Sequence, residues 1–165
     1  MGRPSLFEAA GGAPAMLALA ADFHRRCLED PVLEHPFSHT GNPDHVQRLA
    51  DYWGEVWGGP PVYSSSFGGH GAMLRIHANQ MDEEDPFSPR FISCFNEAVA
   101  ATLPDIPDLR RALDAYIRAA TNEVSGYFPL KAVVPVNPSM PRWGWEGAPA
   151  SPPAESAPAP ADPRD

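Results

Sequence analysis

Residues 68–77 read Gly68-Gly69-His70-Gly71-Ala72-Met73-Leu74-Arg75-Ile76-His77. A glycine pair releases the chain, a short apolar helix follows, and a histidine closes it. His77 stands four residues after Met73, so an imidazole and an apolar side chain share one helical face. An axial ligand of haem iron requires that arrangement: the ring nitrogen reaches the metal while neighbouring carbon side chains cover the porphyrin and exclude water. The same ten residues also suit a core or surface histidine on a short helix. The surrounding sequence has to separate the two readings.

Outward from this stretch, the chain reads as helices joined by Gly and Pro breaks, with no period-2 strand pattern. A short helical start over residues 5–10 is broken by Gly11-Gly12, and Pro14 suits a first helical position. Leu17, Ala20, Phe23, His24, Cys27 and Leu28 then recur at helical spacing until Glu29-Asp30-Pro31. His35-Pro36-Phe37 falls in a short connection. Asn42 as N-cap, Pro43 at the first position and Asp44 at the positive end open the next helix. Its stripe is Val46, Leu49, Trp53, Val56 and Trp57, and Gly58-Gly59-Pro60-Pro61 stops it. Residues 62–69 read as an irregular lead into the His77 helix.

Beyond His77, Asp82-Glu83-Glu84-Asp85 is a solvated turn without the ligand spacing or glycine of a calcium loop. Ser88-Pro89 opens a helix with Phe91, Ile92, Phe95 and Val99 inward. A last helix begins near Asp108 and buries Leu109, Leu113, Tyr116, Ala120 and Val124. The expected fold class is all-α.

The 165 residues suit one domain. Twelve basic residues against 21 acidic ones give a net charge of −9, and no basic stripe forms. That argues against a nucleic-acid groove or an anionic membrane surface as partner. No apolar run approaches the length of a membrane span, and no secretory leader pattern opens the chain. A cytoplasmic protein is expected, with Cys27 and Cys94 reduced and buried as small hydrophobes. Nine of the 21 prolines follow residue 130. Residues 5–130 read as the folded body and residues 131–165 as a Pro/Ala-rich, mostly disordered tail.

In this order and spacing the features resemble the truncated haemoglobins, the small two-over-two helical globins, and group II most of all. Four features carry the resemblance. Gly11-Gly12 matches the glycine pair after an abbreviated first helix. Phe23 in Ala21-Asp22-Phe23-His24 matches the aromatic of a Phe-Tyr pair. His45-Val46-Gln47-Arg48-Leu49 through Trp57-Gly58-Gly59-Pro60, with Tyr63-Ser64 after it, matches the distal helix and a second glycine pair. Gly69-His70 to His77 matches the stretch ending in the proximal histidine. Met140-Pro141-Arg142-Trp143-Gly144-Trp145 resembles a C-terminal extension of actinobacterial members.

The resemblance implies haem b held by His77 and O₂, NO or CO as ligand. It also implies oxygen binding or transport, NO dioxygenation or peroxidase-like chemistry, and a reductase as partner. By position it makes Phe37 the aromatic wedged against the haem and Leu49 a distal contact. A hydroxyl and a guanidinium pair well with carboxylates, so Tyr63 and Arg75 are the expected propionate partners. Arg75 stands two residues before His77, where many relatives put the base one before. His24 takes the place of a distal tyrosine, His45 faces the sixth iron site, and Phe91 replaces a tryptophan that donates to ligand. With that donor gone, His24 or His45 either donates to the ligand or binds iron itself. The rival class is a haem-free helical sensor or interaction domain, which need not keep His77. A hydrolase or transferase lacks its nucleophile elbow or phosphate loop here.

Overall fold

The computed structural model describes residues 2–38, 44–81 and 84–148. Eight helices follow one another: α1 (Leu6–Ala10), α2 (Gly12–Glu29), α3 (Glu34–Ser38), α4 (His45–Val56), α5 (Val62–Phe67), α6 (Gly69–His77), α7 (Phe87–Thr102) and α8 (Pro107–Ser125). No strand occurs among the described residues beyond an isolated bridge between Gly144 and Gly147. The all-α expectation holds. Asn42, Pro43, His39, Asp82, Glu83 and residues 149–165 lie outside the described residues.

The long helices pack in two pairs, α2 with α4 and α7 with α8, linked where α2 lies on α7. Phe23 of α2 is fully buried at that junction. Its ring meets Trp53, Phe91, Phe37 and Phe95 edge-on at 5.4, 4.8, 6.0 and 6.3 Å between centroids. Edge-to-face contact is the geometry that ring quadrupoles favour. Trp53 stacks on Trp57 at 5.8 Å, and Trp57 meets Tyr116 of α8 at 5.4 Å. Four helices are thus joined through one aromatic cluster.

Several elements depart from the sequence reading. Leu17 and Leu28 are exposed, and Met16 and Leu19 take the buried face of α2 instead. The helix starts at Gly12, so Pro14 sits inside its first turn, where its missing N–H costs nothing. Residues 34–38, expected in a connection, form α3. Residues 62–67, expected irregular, form α5. Its serine run carries no apolar period, and what secures it comes from α4. The buried carboxylate of Glu55 accepts from Ser64 N at 2.8 Å and from Ser64 Oγ at 2.5 Å. Gly68, at φ +87°, then turns the chain into α6 through a left-handed conformation that side chains rarely adopt. Asp85 of the acidic turn is the cap of α7, accepting from Phe87 N at 2.8 Å and Ser88 N at 3.1 Å.

The described chain beyond Leu130 returns to the body. Trp143 N donates to Val56 O at 2.8 Å, and its indole N–H donates to Ala112 O at 3.1 Å. Its ring lies 5.8 Å from Tyr116. Trp145 donates to Pro4 O at 2.7 Å, and the Arg3 guanidinium sits 3.5 Å over its ring. Residues 131–148 were read as part of a tail because prolines and small residues dilute their hydropathy. Two tryptophans with partners on α4, on α8 and in the N-terminal segment outweigh that composition.

Candidate functional site

α4, α6, α7 and α8 enclose an apolar cavity of about 250 Å³. Among its walls are His45, Leu49 and Trp53 from α4, Met73 and His77 from α6, Phe91 from α7, and Ile117 from α8, with Phe37 from α3. The i, i+4 pair of Met73 and His77 shares one face, as its spacing predicts.

His77 Nδ1 lies 2.9 Å from the carbonyl oxygen of Met73 one turn back. A carbonyl only accepts, so this nitrogen carries the proton and Nε2 keeps its lone pair. Burial lowers the pKa of the ring, against the pull of the Met73 carbonyl. A neutral imidazole with an oriented, unprotonated Nε2 is a metal ligand in waiting, and the carbonyl bond fixes the ring's rotation.

His45 lines the same cavity. Burial first, then the charges of His24, His77 and Arg48, push its pKa down to about 4. Burial likewise lowers His24. The two rings are 5.1 Å apart and flank Phe37 at 5.9 and 5.8 Å. His45 Nε2 and His24 Nδ1 are buried with no hydrogen-bond partner among the described residues. An orphaned buried polar atom costs roughly 1–3 kcal/mol, so a ligand that satisfies His45 Nε2 recovers that cost. His24 stands behind His45 and does not itself line the cavity.

Phe37, Leu49 and Phe91 line the cavity, as does Tyr52, a position the sequence reading passed over. Tyr63 and Arg75 do not. Tyr63 of α5 is buried against Tyr52 and Phe67, and its pKa is raised by burial against the opposing charges of Arg48 and Arg75. Arg48 thus joins the two as a basic cluster that sequence alone did not assemble. Its guanidinium lies 4.6 Å over Phe67, with a buried Nε unpartnered among the described residues. Its signal was a lone Arg at the border of an apolar stripe, four residues before Tyr52.

His70, read as loop structure, is a buried member of α6 bonded to Tyr52 and Glu123. Cys27 and Cys94 are free and buried, and their thiols meet across α2 and α7, where burial raises both. No group of three metal-ligating His, Cys, Asp or Glu side chains forms among the described residues. No described helix is long and apolar enough to cross a membrane.

The residues present fit a haem. The cavity is apolar, one wall offers a neutral histidine with a fixed lone pair, and another offers a neutral histidine with an unsatisfied nitrogen. The fold is shared with solved haemoglobins. The group II two-on-two haemoglobin of Agrobacterium tumefaciens superposes with a TM-score of 0.63 at 23% identity, covering 75% of this chain and 95% of that one. The group II truncated haemoglobin of Bacillus anthracis gives 0.63 at 21% identity, covering 78% and 95%. The thermostable haemoglobin of Thermobifida fusca gives 0.59 at 26% identity, covering 73% and 96%. In sequence, residues 5–122 match the bacterial-like globins. That match spans most of the chain, from the first turn of α1 to the last turns of α8 and through both histidine-bearing walls. It places this protein in the bacterial-like globin family, and with the family comes a haem cofactor.

Proposed function

We propose that this protein binds haem b through His77 and uses the opposite side of the cavity to bind O₂ and related diatomic ligands. The observation that carries the reading is the pairing, within one apolar cavity, of the tautomer-fixed His77 with a buried His45 Nε2 that has no partner among the described residues. When bound, haem iron supplies an open coordination position and a redox centre.

The chain's own groups set the rest. His77 holds the cofactor by Nε2, and the Met73 carbonyl keeps the ring in its one useful rotation. His45, neutral at pH 7, carries a single N–H. With that proton on Nε2 it donates into the cavity toward a ligand that gathers negative charge. His24 packs behind it and limits how far the ring can swing. Phe37, Leu49 and Phe91 exclude water and offer no competing donor. Arg48 and Arg75, the two positive charges that act on Tyr63, are of the sign that suits the cofactor's carboxylates. Turnover as a dioxygenase or peroxidase would draw electrons from a reductase.

The test is an absorption spectrum after haemin loading, ferric and dithionite-reduced, with and without CO, beside His77→Ala. A Soret band that shifts with CO and is lost in His77→Ala is the expected result. A wild-type protein with no stoichiometric Soret band would overturn the reading and favour a haem-free helical domain. The reduced spectrum without CO distinguishes His45 as donor from His45 as sixth ligand.

A further inference from the structure

Three side chains that hold no diatomic ligand connect the cavity wall to solvent. Tyr52 of α4 lines the cavity and is 6% exposed. Its hydroxyl lies 2.9 Å from His70 Nδ1, and His70 Nε2 is hydrogen-bonded to Glu123 Oε1 of α8. His70 is also 6% exposed, whereas the Glu123 side chain is 43% exposed. An ionised carboxylate only accepts, so His70 donates from Nε2 and keeps Nδ1 as the acceptor for the Tyr52 O–H. The order from inside outward is therefore aromatic ring, base, carboxylate, water.

This order has a chemical use. A phenol that loses one electron becomes a strong acid and must shed its proton. Burial shields the Tyr52 hydroxyl from bulk solvent and holds its pKa well above the usual phenol range, so simple ionisation offers no alternative route. A base already hydrogen-bonded to the hydroxyl removes the difficulty, and a carboxylate on the far side of that base stabilises the imidazolium that results.

We propose that Tyr52 is a one-electron donor to the cavity's cofactor, passing its phenolic proton to His70 Nδ1 as the electron leaves. The proposal rests on the haem reading above. The oxidant is hydrogen peroxide, which takes up two electrons and two protons to become two water molecules. Tyr52 supplies one electron. Its O–H bond breaks and an N–H bond forms at His70 Nδ1. The second electron comes from the haem, and solvent supplies both protons. The product is a neutral Tyr52 radical hydrogen-bonded to a protonated His70 that is paired with Glu123.

The test uses the full chain loaded with haemin. The Soret band is recorded first, and the ferric protein is then mixed with one equivalent of peroxide, frozen within a second and examined by electron paramagnetic resonance. A tyrosyl radical is expected in the wild type, reduced at least tenfold in Tyr52→Phe, which keeps the ring and loses only the hydroxyl. His70→Gln should cut the yield or shift the g-values to those of an unbonded radical. In the wild type, exchange into D₂O should remove a hydrogen-bond proton coupling from the signal, a readout that needs no variant. A radical undiminished in a Tyr52→Phe protein with a normal Soret band would overturn the proposal, leaving the triad a tie between helices. So would a wild-type signal without an exchangeable coupling. Failure of the wild type to take up haemin is read before peroxide is added, and it overturns the haem reading and this proposal together.

Discussion

The rings of His24 and His45 lie 5.1 Å apart on two helices that pack together, and each keeps a buried nitrogen with no partner among the described residues. Burial lowers both, so two neutral imidazoles stand together where the resemblance to group II truncated haemoglobins implies a tyrosine at position 24. His45 lines the cavity and His24 supports it from behind. The pair is therefore unequal, and substitution should reveal it.

Replacing His45 with Leu should raise the O₂ dissociation rate about ten- to a hundredfold, the span of roughly 1.5–3 kcal/mol for a hydrogen bond to a charged group. His24→Leu should raise it by less, about twofold to tenfold, through a looser His45. Stopped-flow displacement of O₂ by CO reads both. Equal rates in both variants and the wild type would remove distal histidine donation from the account.

The stability of the cofactor-free protein should fall in acid. Unfolded His45 takes up a proton below about pH 6.5, whereas the folded ring resists until about 4. Between those values the unfolded state binds more protons, so stability is intact above pH 6.5 and drains as pH drops toward 4. At about 1.4 kcal/mol per pKa unit the loss from this ring is at most about 3 kcal/mol, with His24 and His77 acting in the same direction. Urea midpoints of wild type and His45→Gln between pH 7 and 4.5 check the sign. The variant's curve should be visibly flatter.

Glu55→Ala should cost about 2 kcal/mol, since it strands Ser64 N and a serine hydroxyl that a buried carboxylate now satisfies. Loss of helical signal confined to α5, seen by amide exchange, would accompany it. A midpoint within error of the wild type would mean that water replaces the carboxylate at no cost.

The legible part of this chain is where one side chain speaks for its own environment. The i, i+4 pair of Met73 and His77, the stripe of Leu49, Trp53 and Val56, and the Gly58-Gly59 stop all carry their meaning locally. Gly59 is a case in point: an added Cβ would stand 2.7 Å from the Gly54 carbonyl oxygen. What escaped the sequence depends on distant partners. Nothing near Ser64 announces the Glu55 carboxylate that makes α5 a helix. His70 and Tyr52 are 18 residues apart, and Glu123 is 53 beyond His70. Arg48 gains its role from Tyr63, and the two cysteines meet only because α2 crosses α7. Leu17 and Leu28 fail for the opposite reason: they lie beside a buried face that Met16, Leu19, Ala20, Phe23 and Cys27 already fill.

Trp143→Ala should destabilise the protein by about 2 kcal/mol, below the roughly 3–5 kcal/mol of a fully buried aromatic because this ring is only partly covered. It loses contact with Tyr116 and the bond to Ala112. Chemical denaturation checks the value, and ending the chain after residue 130 should do at least as much harm. No change in either would show that the indole sits on the body without supporting it.

The grip of Trp145 on Pro4 and Arg3 brings the two ends of the described chain side by side. In connectivity the body is therefore nearly a ring held shut by one indole. Tension applied between the ends would be borne by that clasp before it reached the helices around the cavity. A short peptide joining residue 148 to residue 2 should be accommodated, with new ends opened elsewhere on the surface.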